Sequence, residues 1–476
     1  VSRNSLVAGL RRLASIAAVA IIMAAGTPMP AAWALTPYVY NAQVDIAPAD
    51  TPPGPEFEMK QSSLCAKSGQ LNGSQFDSVP INTVWGVKKL QGFATGKGQT
   101  VALIDSGVNR NARLDRLLGG GDYIQGGDGL FDCDHHGTLI AGIIAARPSP
   151  GDGFSGVAPD ATIVSIRQTS EAYEVDSSKT GNAREAQAAS TVITMAKSIV
   201  HAATLNATVI NISVTACVST SKPVELHALA GALYYAAVVK NAVIVTAAGN
   251  LGGECAPNAD SNPANPQDTR GWGGVTTISL PSMFDQFTLS VGGTTLTGDP
   301  YVKSMSGPWV GVAAPAINVV SIDPSKLTGE LINAQETKDG IEPIAGTSFS
   351  SAYVSGLAAL IRERYPNLTA HQVIERIKRT AHRPSQAMSS LVGSGVVDPN
   401  AALTDPIDDS IAVVADGVPP VAAIPDAAAK PADTLGLRIA LISLGVLGAV
   451  MFIVIVASMA RGNRATRYAD AQAQGN

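Results

Sequence analysis

Three observations predict an α/β fold with a central, mostly parallel sheet, helices on both faces and a C-terminal transmembrane helix. Four short apolar runs, at residues 100–104, 162–166, 208–212 and 243–246, are rich in β-branched and aliphatic side chains and read as strands buried on both faces. Ala-rich stretches at 139–146, 186–205, 224–239 and 350–364 read as helices between or after them, and strand–helix alternation is the pattern of a parallel sheet with crossover helices. The third observation is a charge-free run of 22 residues, 439–460, long enough to cross a hydrocarbon core of about 30 Å as a helix.

Composition fits this plan. The 476 residues carry a net charge of −5, from 33 Lys and Arg against 38 Asp and Glu, with no long basic run, which argues against nucleic acid as a partner. A hydrophobic content of 46% is that of a globular chain, yet a mean hydropathy of +0.17 with 15% charged residues is high for a wholly soluble one. The excess sits at the two ends. Arg3, Arg11 and Arg12 precede a charge-free run at 13–25, and Ala32-Trp33-Ala34 reads as a small-x-small cleavage site, so 1–34 is predicted to be an export signal. At the other end Arg461, Arg464 and Arg467 follow the apolar run, which predicts a cytoplasmic tail at 461–476 and the strand–helix domain on the extracytoplasmic side of the cell membrane. Between the ends lie a Pro-rich N-terminal extension (35–84), the alternating domain (85–404) and a Pro/Ala-rich linker (405–438). Cys65, Cys133, Cys217 and Cys255 all fall in the exported part, where an even count predicts two disulfides with three pairings open.

Four segments at the ends of apolar runs carry chemistry. Asp105-Ser106-Gly107 puts a carboxylate just past a strand, His136-Gly137-Thr138 puts an imidazole at a helix entry, and Gly346-Thr347-Ser348 puts a hydroxyl at a helix start. A serine hydroxyl becomes a useful nucleophile when an imidazole takes its proton, and a carboxylate must fix that imidazole's tautomer. Ala247-Ala248-Gly249-Asn250 adds a side-chain amide that, with the backbone N–H of Ser348, would hold a developing oxyanion. No organic cofactor is needed for such acyl transfer. The cluster Asp132, Asp134, His135, His136 has alternating spacing that sends its side chains apart, so no metal site is assigned, and no calcium ligands are assigned either.

The order Asp105, His136, Asn250, Ser348 resembles the subtilisin-like (S8) serine proteases, and that order separates them from other triad folds. Gly156-Val157-Ala158-Pro159, Val312-Ala313-Ala314-Pro315 and Gly393-Ser394-Gly395 are similar to further signatures of that family. The resemblance implies that Asp105 orients, His136 acts as general base and then acid, Ser348 attacks and Asn250 stabilises the oxyanion. It also implies that Ser213, Val214 and Thr215, with Ala247, Ala248 and Gly249, bind the polypeptide substrate. Asp132-Cys133-Asp134-His135-His136, Ser165-Ile166-Arg167-Gln168, Thr269-Arg270-Gly271-Trp272 and Ala352-Tyr353-Val354 resemble the mycosin subgroup, the membrane-anchored subtilases of type VII (ESX) secretion systems. That subgroup implies association with the type VII core membrane complex and a Cys65–Cys133 bridge that staples the extension near His136, leaving Cys217 with Cys255.

Three features depart from the wider family. Phe349 and Ser350 follow the nucleophile where Met and Ala are usual, Thr215 stands where Gly is frequent, and polar insertions at 168–190, 251–274 and 325–342 surround the site. They predict a narrowed cleft with a restricted substrate range. The expectation is a membrane-anchored serine endopeptidase, with a structural subunit of the secretion complex whose proteolysis is dispensable as the alternative.

Overall fold

The structure, a computed structural model, describes residues 35–178, 183–222, 224–259, 268, 270–338, 340–383 and 389–407. The predicted export signal, nearly all of the linker, the 439–460 run and the tail lie outside them. Among the described residues no helix is long and apolar enough to cross a membrane.

Seven parallel strands form the central sheet: β1 (Thr100–Asp105), β2 (Leu117–Asp122), β3 (Thr162–Arg167), β4 (Val209–Ile212), β5 (Val243–Ala247), β6 (Thr288–Thr294) and β7 (Val310–Pro315), in the order β7-β6-β5-β4-β1-β3-β2. The longer helices are α1 (His136–Ala145), α2 (Ala183–Thr204), α3 (His227–Tyr234), α4 (Thr347–Arg364) and α5 (Ala370–Thr380), with short helical segments at Pro80–Val84, Val87–Leu90 and Pro399–Thr404. Strand side chains alternate between two cores, as the two-residue period of a strand requires. Val101, Leu103, Val209, Val243 and Val245 face one core with Leu139, Ile143, Val354, Leu357 and Ile377 from α1, α4 and α5. Ala102, Ile104, Ile210, Ile212 and Ile244 face the other with Met195, Ile199, Leu229 and Leu233 from α2 and α3.

Side-chain acceptors set several helix starts. Thr369 and Gln372 form a reciprocal capping box at the head of α5. Glu225 accepts from the His227 N–H, so α3 begins at His227 rather than at 224, and the predicted single helix ends in a π-turn at Tyr235–Val239. Three strands of the sheet were not among those predicted. β2, at the sheet edge, runs from two leucines into three glycines, and β7 ends in the Ala-Ala-Pro signature, so neither shows the β-branched run of an interior strand.

The extension is woven into the domain rather than left as an irregular arm. Met59–Gln61 pairs antiparallel with Tyr173–Val175 in the first insertion. Ser68–Gly69 pairs with Ala334–Thr337 in the third, which pairs in turn with Gly340–Pro343. Cys65 is bonded to Cys133, with Cα atoms 4.6 Å apart, and Cys217 to Cys255, at 5.1 Å. Near the start of the extension, Asp45 accepts from Tyr38 and pairs with His227, while Asp50 pairs with His201 on α2. Opening the 68-residue Cys65–Cys133 loop by replacing both cysteines with serine should remove about 2–4 kcal/mol of stability. Thermal melting will register this as an earlier transition; an unchanged Tm would mean that strand pairing alone holds the extension.

Candidate functional site

The site lies at the carboxyl ends of the central strands, the side on which open α/β sheets bind ligands. Asp105 is the last residue of β1 and is 1% exposed. Its Oδ1 accepts from the Ser106 N–H at 2.7 Å and lies 2.7 Å from His136 Nδ1. His136 Nε2 lies 2.9 Å from Ser348 Oγ in the first turn of α4. A carboxylate only accepts, so in the neutral imidazole Nδ1 carries the ring proton and Nε2 is left bare to receive the Ser348 hydroxyl proton. The Phe349 ring packs 5.5 Å from the imidazole.

Two glycines permit this contact between separate loops. A Cβ on Gly137 would stand 2.0 Å from the Gly107 carbonyl oxygen, and one on Gly107, whose φ is 104°, would stand 2.2 Å from that of Phe131. Burial works against a charged His136 imidazole, but the charge and hydrogen bond of Asp105, with Asp132 and Glu171 farther out, outweigh it and raise the pKa to about 9.

Asn250 follows β5 beside this pair. Its Oδ1 accepts from the Thr347 N–H at 3.0 Å, which leaves Nδ2 as a free donor. A Cβ on Gly346 would lie 3.3 Å from both Asn250 Nδ2 and Ser348 Oγ, so the glycine keeps the hollow between them open. Ser348 N–H belongs to the first turn of α4, where backbone donors have no partner within the helix. Two aligned donors and a nucleophile around one hollow suit a carbonyl whose oxygen gains charge on attack.

Ser213, Val214 and Thr215 lie between the end of β4 and a short strand, Ala216–Ser219, and belong to neither ladder. Ala247 and Ala248 are buried at the end of β5, and a Cβ on Gly249 would meet Met305 Sδ and Ser279 Oγ at 3.3 and 3.4 Å. The Cys217–Cys255 bridge continues that wall, with Cys217 Sγ 3.6 Å from Met305 Sδ. Ser279 and Met305 carry no sequence signal for a site, since both are distant in the chain from its motifs.

The four residues of the acidic and histidine cluster turn to separate partners. Asp132 takes Thr138 and Ser106, Asp134 takes the N–H groups of Glu171 and Ala172, His135 meets Ser68 of the extension at 2.8 Å, and His136 meets Asp105. His135 holds a left-handed φ of 64°, the backbone turn that faces the two adjacent histidines apart.

The Subtilase family model, Peptidase_S8, matches residues 96–395. Mycosin-1 of Mycobacterium tuberculosis is 49% identical to the chain over 365 residues, which cover 75% of this chain and 81% of that protein. The crystal structure of MycP1 from Mycobacterium smegmatis is similar with a TM-score of 0.75 at 44% identity, covering 79% of this chain and 96% of that one. A chain in the structure of an intact ESX-5 inner membrane complex is similar with a TM-score of 0.76 at 39% identity, covering 90% of this chain and all of its own, 100%.

The Gly107–Gly137 contact is open to test. Gly137→Ala should separate the loops and cut the rate of Ser348 labelling by a fluorophosphonate about 100-fold or more, the scale of a misplacement near 1 Å. Wild-type labelling in that variant would show that the loops tolerate separation.

Proposed function

Because the chain belongs to the subtilase family of serine peptidases, and within it to the mycosins, we propose that it is a membrane-anchored endopeptidase of a type VII secretion system. Hydrolysis proceeds through an acyl-enzyme formed on Ser348. The observation that carries this reading is the continuous line of contacts from Asp105 through His136 to Ser348, at 2.7 and 2.9 Å. Ser348 Oγ attacks the substrate carbonyl as His136 Nε2 takes its proton, and Asp105 holds the imidazolium that forms. Asn250 Nδ2 and the Ser348 N–H receive the oxyanion; loss of one such donor costs about 10²–10³ in turnover, a range found in subtilisin. His136 then gives its proton to the leaving amine, and water repeats the sequence to release the acyl group. Substrate lies along Ser213–Thr215 and Ala247–Gly249, with Ser279 and Met305 limiting the depth beside Gly249.

The export signal at 1–34, the apolar run at 439–460 and the basic tail support a single-pass topology with the peptidase outside and the tail in the cytoplasm. Association with a type VII core membrane complex is supported by the similarity to a chain of the ESX-5 assembly over 90% of this sequence. The same similarity favours a second role, as a structural subunit of such a complex, and complementation with an inactive variant tests whether its turnover is dispensable for secretion.

Ser348→Ala should abolish both peptidase activity and fluorophosphonate labelling while leaving the thermal transition in place; retained labelling would sink the nucleophile assignment. In a strain lacking the protein, rescue of secretion by Ser348→Ala favours the structural role, and failure at normal protein level favours proteolysis. The pH dependence has a definite sign. Only neutral His136 accepts the serine proton, and Asp105 stabilises the charged form, so the rate should fall as pH drops through a pKa raised above the ordinary 6.5. A kcat/KM profile with its acid limb below 6.5 would contradict the Asp105–His136 pairing.

A further inference from the structure

A second buried carboxylate stands behind the Asp105–His136 pair. Asp132 is 1% exposed, and every acceptor position it uses faces the loops that carry the pair. Its Oδ2 accepts from the Thr138 N–H at 2.8 Å and from the Thr138 hydroxyl at 2.6 Å, two residues past His136. Its Oδ1 accepts from the Ser106 hydroxyl at 2.8 Å, one residue past Asp105. Ser106 Oγ accepts in turn from the Gly137 N–H at 2.9 Å and lies 3.2 Å from Asp105 Oδ1. One hydroxyl therefore joins both carboxylates to the backbone that follows the histidine.

Resting on the triad reading, we infer that Asp132, acting through Ser106, is a positioning residue that locks the His136 loop to Asp105 and adds a second negative charge behind the imidazole. A serine hydroxyl has a single proton, and its shorter bond goes to Asp132. Asp105 is thereby left as a full acceptor for the Ser106 N–H and His136 Nδ1. The charged groups facing His136 are Asp105 from β1, Asp132 from the loop before α1 and Glu171 from the segment after β3. Asp132 faces Asp105 and the donors of Thr138 and Ser106; burial pushes its carboxyl up to about 6, against the pull of those donors. The charge of its carboxylate, which the Thr138 and Ser106 donors stabilise, favours protonated His136.

Asp132→Asn removes the charge and reverses the Ser106 bond. The new amide would donate to Ser106 Oγ, which would then donate to Asp105 and draw off part of its charge. The titration midpoint of His136, read by NMR from its ring nitrogens in the full chain labelled with ¹⁵N-histidine, should fall by about half a pH unit or more. The acid limb of kcat/KM should move the same way. An unmoved midpoint in a folded Asp132→Asn variant overturns the inference and leaves Asp132 a helix cap only. Should that variant not fold, Ser106→Ala tests the link: about a tenfold lower kcat at unchanged KM is expected, with recovery in Ser106→Thr. Full turnover in Ser106→Ala overturns the inference. The NMR midpoint needs no turnover, so it stays readable even if fluorophosphonate labelling of Ser348→Ala refutes the triad reading.

Discussion

A carboxylate buried to 1% exposure at the end of β1 is the constraint on which the site depends. An ionised Asp105 in that position is costly unless charge and donors compensate it. Compensation comes from the Ser106 N–H and from His136, both at 2.7 Å. The two loops must therefore touch, and side chains on Gly107 and Gly137 would hold them apart. The raised affinity of His136 for a proton follows from the same pair.

Ser348 reaches this pair by a different route. α4 is buried along most of its length beneath the sheet, and its start is anchored by Asn250 accepting from the Thr347 N–H. Ser350 adds a second anchor, donating to the Ala314 carbonyl of β7 at 2.9 Å. Position and direction of the Ser348 hydroxyl are thus set from the ends of β5 and β7, elements other than those that set His136. Rigid elements on both sides hold the 2.9 Å contact without a flexible loop between them.

The extension closes the remaining side. It is covalently tied one residue before the Asp134-His135-His136 turn, contributes Ser68 to His135, and adds a strand to the hairpin that leads into Gly346. His135 and its neighbour thus divide their work, one holding the extension and the other facing Ser348. The first insertion gains its strand because the extension supplies the partner, and the hairpin of the third gains a further strand from it.

Much of the site was legible because its chemistry is local in the chain. Asp105, His136, Asn250 and Ser348 each stand at the end of an apolar run, next to glycines that mark a turn, and their order is characteristic of one protease family. Four of the seven strands were legible as β-branched runs, whereas the Gly-rich β2 and the Gly- and Ala-containing β6 and β7 were not, since strand identity there comes from neighbours rather than from composition. Ser106 and Asp132 carried no signal of their own, the first being hidden inside the Asp-Ser-Gly motif and the second inside an acidic cluster. By itself the sequence determined the candidate reacting groups, the strand–helix alternation and the hydropathy of the two ends, because residue type and period are properties of short segments. Only the tertiary structure decided the partners of Asp132, Ser68 and Met305, because hydrogen bonds and packing between residues far apart in the chain exist only once the sheet has brought them together.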